Sequence, residues 1–172
     1  NPDLDGTSRP GDNAYTDSIV AIDAKTGKLK WWYQQVAHDV WDYDAAAPVV
    51  LFDTIDEHGN KVPAAAEAGK VGYLFIVNRL TGKLIRKSPP IVDIGENFMK
   101  PVTEKTMTLY PANKGGAIWS PPAWSPVTRN LYTMGVNEAH DFFLNKPLPN
   151  VYKPGMPIVG QYTGGNMPTN LD

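Results

Sequence analysis

A turn that occurs twice with strands on both sides constrains this chain most. "DSIVAIDAKTGKLKWWYQQ" opens with a β-branched run at Ile19, Val20 and Ile22. Asp23 to Gly27 supply turn chemistry, and Gly27 can take the positive φ of a tight turn. Leu29, Trp31 and Tyr33 then alternate at period two, with Lys28, Lys30 and Trp32 on the other face. The pattern returns in "VGYLFIVNRLTGKLIRK", where Tyr73, Phe75 and Val77 alternate, Thr81-Gly82-Lys83 turns, and Leu84 follows. A looser third copy, "PAWSPVTRNLYTMG", has Arg129-Asn130 in place of Gly-Lys.

Repeats of this kind predict an all-β fold of four-stranded sheets arranged radially, a β-propeller. Blades of roughly 40–45 residues give about three blades, fewer than the usual minimum of about four. The chain begins in "NPDLDGTSRPGDN" and stops in "GGNMPTNLD", both loop-like. Residues 1–172 are therefore expected to be a partial propeller domain, truncated at both ends. "DTIDEHGNKVPAAAEAGK" is expected to be loop, with its Ala-rich piece forming one helical turn or none. "RKSPPIVDIGENFMKPVTEKTMTLYPANKGG" and "NKPLPNVYKPGMPIVGQYTGGNMP" read as long irregular loops, which in compact folds are usually functional or disordered.

Composition removes several functions. The net charge of -2 and pI near 5.9 argue against a nucleic-acid binder, which would carry a basic patch. No apolar run approaches the ~20 residues of a membrane helix, and no signal leader is visible. Cysteine is absent, so these residues offer no disulfide, thiolate nucleophile or cysteine metal site.

"HDVWDYDAAAP" concentrates chemistry. Asp39, Asp42 and Asp44 lie among Trp41 and Tyr43, where carboxylates are partly desolvated unless something positive sits beside them. On a strand, Asp42 and Asp44 would project from one face. Two such carboxylates repel unless a proton or a cation lies between them, and a hard cation with oxygen ligands fits. On the residues alone, Asp44 is read as a strand-end cap, and Lys70 as a surface lysine. His38 beside Asp39 is read as a structural hydrogen-bond pair, since no G-x-S-x-G nucleophile elbow accompanies it. His58 and His140 lack zinc-site spacing.

Ala21, Asp23, Thr26, Gly27, Lys28 and Trp31 fit A-x-D-x-x-T-G-K-x-x-W. This resembles the tryptophan-docking motif of the quinoprotein alcohol dehydrogenases, which locks neighbouring blades of an eight-bladed propeller. "NP…RPGDNAYTDSIVAIDAKTGKLKWWYQQVAHDVWDYD" resembles that family's run from a metal-ligand asparagine to the catalytic aspartate. "GKVGYLFIVNRLTGKL" and "GGAIWSPPAWSPVTRNLYTMG" are similar to later strand pairs near the cofactor. The likeness covers most of residues 1 to about 137.

The resemblance implies pyrroloquinoline quinone (PQQ) as cofactor and Asp42 as catalytic base. It implies Asn1, Asp42 and Asp44 as ligands of a calcium or lanthanide ion. Lys70 would contact the quinone. An aspartate at position 44 marks the lanthanide-dependent branch, in keeping with the larger Coulomb gain of a trivalent ion from each added anionic ligand. Trp119 is read as a blade-packing residue or as a wall of the cofactor pocket. Ile118 departs from the asparagine that many members carry there. The implied reaction is oxidation of a small primary alcohol to an aldehyde by hydride transfer, with electrons leaving to a cytochrome c in the periplasm. A homodimer is a possible assembly. The alternatives are a sugar or polyol dehydrogenase of the same superfamily, and a non-catalytic propeller scaffold. The family's metal-binding glutamate and aromatic floor would lie upstream of Asn1, so these residues alone are expected to be inactive.

Overall fold

In the computed structural model of the chain, residues 4–7 and 9–144 are described. Asp23 builds the first hairpin. Its Oδ1 accepts from the amides of Lys25 (3.1 Å) and Thr26 (3.0 Å), and the amide of Gly27, at φ 69°, closes onto its carbonyl at 2.8 Å. The flanking strands are β1 (Ser18–Ile22) and β2 (Leu29–Gln34), paired antiparallel. Asn78 plays the same part in the second hairpin. Its Oδ1 accepts from Leu80 N (2.9 Å), and its carbonyl accepts from Gly82 N (2.8 Å). This turn joins β5 (Leu74–Asn78) to β6 (Leu84–Lys87).

The two hairpins are docked by Trp31. Its indole Nε1 donates to the Arg79 carbonyl at 3.0 Å, and its ring lies against Gly82, where a Cβ would come within 2.8 Å. The tryptophan of the docking motif thus reaches from one sheet to the next.

β3 (Val50–Ile55) and β4 (Lys61–Ala68) precede β5, and the four form an antiparallel meander in the order β3-β4-β5-β6. The turn between β3 and β4 is set by Asp56, whose Oδ1 accepts from His58 N and Asn60 N. The Ala-rich piece expected as loop or a helical turn is strand β4. The reason is packing on both faces. Ala64, Ala66 and Ala68 meet Phe52 and Leu74, whereas Ala65 packs with Ile19 and Val77. Side chains this small let two layers approach one strand, and that tertiary packing overrides alanine's helix propensity.

Two short strand pairs follow. β7 (Met107–Leu109) pairs with β10 (His140–Phe142), and β8 (Ala123–Ser125) with β9 (Asn130–Tyr132). β7 lies inside a stretch expected to be irregular. Among the described residues, the expected three blades therefore appear as one complete four-stranded sheet and three two-stranded ones. No helix occurs among the described residues, and none is long and apolar enough to cross a membrane. The Pro- and Gly-rich stretch from Asn145 onward lies outside the described residues. The main core gathers Val36, Tyr43, Phe75, Leu109 and Phe142 between the sheets.

Gly27 and Gly82 occupy the same position of the same turn, but only Gly82 faces a ring. Gly27→Ala should cost only left-handed strain, about 1–2 kcal/mol. Gly82→Ala should cost about 1–3 kcal/mol more, because the added methyl is overpacked against Trp31. Denaturant unfolding of the two variants checks the difference.

Candidate functional site

The site is built on the irregular segment between β2 and β3, and Asp39 shapes it. This carboxylate is 2% exposed. Its Oδ1 accepts from Trp41 N at 2.9 Å and its Oδ2 from Tyr43 N at 2.7 Å. Those two amides flank Asp42, which is held in the left-handed region at φ 64°. Tyr43 is buried and its hydroxyl donates to the Pro111 carbonyl at 2.7 Å, whereas the Trp41 indole donates to Lys100 O at 2.8 Å. The expectation that Asp42 and Asp44 share a strand face is thus corrected. A side chain that captures backbone amides competes with strand pairing. The expected His38–Asp39 pair is also replaced, since Asp39 holds backbone amides and His38 Nδ1 meets Gly11 O at 2.7 Å.

The two carboxylates nevertheless converge, through the turn instead of the pleat. Lys70 Nζ donates to Asp42 Oδ1 at 3.0 Å and to Asp44 Oδ2 at 2.6 Å. The side chains are graded in exposure: 10% for Lys70, 22% for Asp42 and 53% for Asp44. Burial pushes the Asp42 carboxyl up, and the adjoining Asp44 carboxyl adds to this. Burial also raises Asp44, but hydrogen bonds with Asp42 and Lys70 outweigh it and hold Asp44 low. Burial would depress Lys70, yet the two carboxylates keep it protonated above its ordinary range.

Carboxylate oxygens of Asp17, Asp39 and Asp44 lie within 4.8 Å of one another. Oδ2 of Asp17 is buried without a hydrogen-bond partner, and burial raises its carboxyl. Asp39 is pushed up to about 7, first by burial and then by Asp17. Crowded acids with an uncompensated oxygen form a donor set of the kind hard cations take. Of the ligands that the resemblance implies, Asp44 alone belongs to this cluster, and Asp42 lies beside it on Lys70. The sequence alone does not single out Asp17 as part of an acid cluster, and Asn1 lies outside the described residues.

Lys70 is placed by close backbone packing just after β4. Its amide donates to Asp44 O at 3.3 Å, and Ala117 N donates to Gly69 O at 3.2 Å. Gly116, at φ 64°, lies so near that a Cβ would come within 2.4 Å of Lys70 O. The loop bearing Trp119 therefore rests on the Lys70 backbone. Trp119 itself is 68% exposed, so it packs no blade among the described residues. His58 is a turn residue beside Glu57, and His140 contacts Glu138 and Asn113; neither joins the acid cluster. An apolar cavity of about 510 Å³ opens beside Val40, Trp41 and Val102, but Asp42, Asp44 and Lys70 are not in its walls.

Residues 1–96, which carry this acid cluster and Lys70, match the family described as "PQQ: Glucose/ethanol/alcohol dehydrogenase, beta-propeller domain". The chain belongs to this family. It is 32% identical over 152 residues to the quinoprotein alcohol dehydrogenase PedE of Pseudomonas putida, covering 76% of this chain and 24% of PedE. Over 89 residues it is 43% identical to the quinoprotein glucose dehydrogenase of Escherichia coli, covering 51% of this chain and 11% of that protein. A solved structure of a europium-containing methanol dehydrogenase superposes with a TM-score of 0.75 at 27% identity, covering 92% of this chain and 29% of the other. The chain spans about a quarter of the length of PedE. The propeller expectation and the family resemblance both hold.

One further carboxylate adjoins the site. Glu67 on β4 is 1% exposed, and burial pushes it up to about 7 from its ordinary 4.5, against hydrogen bonds from Gln35 and Ala47. Between those pH values the native chain holds a proton that the unfolded chain releases, so stability falls as pH rises through that window. A glutamine in its place would not titrate. Metal-free Glu67→Gln protein should therefore gain stability relative to wild type as pH rises from about 4.5 to about 7, as read by denaturant titration at the two values.

Proposed function

We propose that this chain is the part of a PQQ-dependent alcohol dehydrogenase that carries its catalytic base, Asp42. The observation that carries the reading is the Lys70 ammonium bridging Asp42 and Asp44 in a half-buried hollow. PQQ, when bound, supplies the two-electron acceptor for the hydride of a small primary alcohol. Asp42 takes the hydroxyl proton, a role suited to a carboxyl whose affinity for protons is raised. Lys70 fixes the orientation of Asp42 and, by the family pattern, faces the quinone. Asn1, Asp42 and Asp44 are the proposed cation ligands, and Trp119, which is exposed, is the proposed pocket wall. Because Asp44 adds an anionic group, a lanthanide is favoured over calcium. Electrons would pass to a cytochrome c in the periplasm.

The apolar outer face of the first hairpin supports a larger propeller around these residues. Val20, Ile22, Leu29 and Trp32 are all exposed there. A contiguous apolar face of this kind ordinarily meets a partner surface. On this reading the 172 residues are inactive alone. A sugar or polyol substrate is a second reading, favoured by the 43% identity to a glucose dehydrogenase, and it uses the same base.

The test uses the full-length protein loaded with PQQ and either calcium or lanthanum, with dye reduction followed on ethanol and on glucose. Ethanol oxidation is expected, and activity on glucose alone would establish the second reading. Asp42→Asn should lower kcat by about 10²–10⁴-fold while PQQ still binds. Persistent turnover in that variant removes Asp42 as base. Asp44→Ala should reduce lanthanum-supported turnover more than calcium-supported turnover; equal losses would refute the metal preference.

A further inference from the structure

We infer that Glu67 is a positioning residue that sets the distance between the segment carrying Asp42 and Asp44 and the backbone carrying Lys70. The inference rests on the reading of those three residues as the site. Glu67 is buried in a strand whose neighbouring positions are alanine, and it makes no ion pair among the described residues. A carboxylate there carries a desolvation penalty that an apolar residue of similar size would avoid. What it holds explains its presence.

Oε1 of Glu67 accepts from the amide of Ala47 at 3.2 Å, three residues beyond Asp44. Oε2 accepts from Nε2 of Gln35, which follows β2. Glu67 itself stands three residues before Lys70. One carboxylate therefore ties together the end of the first hairpin, the strand that leads to Lys70 and the segment that leaves Asp44.

Gly69 shows how closely these parts are fitted. A Cβ at this position would lie 3.1 Å from Gln35 Oε1, 3.3 Å from Asp44 O and 3.5 Å from Glu67 Oε2. The Lys70 amide, one residue on, donates to the same Asp44 carbonyl at 3.3 Å. If Glu67 releases Ala47, the Asp44–Ala47 segment loses its anchor, and the Lys70 amide loses a fixed acceptor. The contact is also compatible with a neutral side chain. Gln35 Oε1 is buried without a partner. In Glu67→Gln, turning the Gln35 amide over would let its Oε1 accept from the new side-chain NH₂, while the new side-chain oxygen still receives Ala47 N–H. Glutamine can therefore do what the carboxylate does, and leucine cannot.

Two measurements test this on the full-length protein. The first is amide hydrogen exchange without metal or quinone. In Glu67→Leu, protection at both Ala47 and Lys70 should fall at least about tenfold, with core amides such as Val77 and Leu109 unchanged; Glu67→Gln should retain it. The second is steady-state kinetics of the PQQ- and metal-loaded enzyme. Glu67→Leu should lower kcat at least about tenfold with KM changed less than about threefold, and Glu67→Gln should stay within about twofold of wild type. The inference is overturned if Lys70 protection survives in Glu67→Leu, if the glutamine and leucine variants lose kcat alike, or if exchange rises across the whole core. Should the wild-type enzyme oxidise no alcohol, the proposed function fails, and the exchange measurement still decides the role of Glu67.

Discussion

One ammonium group allows two carboxylates to occupy the same hollow. Lys70 makes an attraction with each of Asp42 and Asp44, set against one repulsion between them. At an effective dielectric of about 20, each such term at about 4 Å is roughly 4 kcal/mol. Two attractions against one repulsion leave about one pair in surplus. Desolvating the ions costs several kcal/mol each, so that surplus is largely cancelled. The triad is thus a poor source of stability and has to be held in place by its surroundings. Asp39 holds the amides on either side of Asp42, Gly69 and Gly116 let neighbouring backbone close on Lys70, and Tyr43 pins the loop to Pro111.

The parts of the fold that can be read from the sequence are those whose cause is local. Asp23 and Asn78 bond to amides within four residues of themselves, so the strand–turn–strand pattern carries its own explanation. Trp31 is legible for a different reason: the docking motif fits without a departure, and its partner Gly82 sits in the second copy of the turn. The Ala-rich strand is not legible. Its conformation is fixed by Phe52 and Leu74 on one face and by Ile19 and Val77 on the other, and alanine carries no period to report this.

The candidate site divides in the same way. Asp42 and Asp44 stand out in the sequence, Lys70 is picked out by the family resemblance, and the structure brings the three within hydrogen-bonding distance. The strand face expected to unite the two aspartates does not form, because the Asp39 side chain replaces ladder hydrogen bonds with its own. Asp17 and Glu67 join the site only through long-range geometry. The faint signal for Glu67 is a single acid in an otherwise small, apolar run, "PAAAEA". Buried carboxylates without cations are rare enough that such an exception marks a constraint.

Small residues explain how a candidate site can rest on loops and still be well defined. Ala64 to Ala66 bring two layers against one strand, and the same strand leads directly into Gly69 and Lys70. At Gly116 backbone meets the backbone of Gly69 and Lys70, with no side chain to act as a soft spacer. A displacement there is transmitted and not absorbed, since packed backbone has low compressibility. The position of the Lys70 ammonium is therefore tied to the sheet behind it, although Asp42 and Asp44 lie on irregular chain. That coupling gives loop-borne carboxylates the definition that sites usually draw from regular elements.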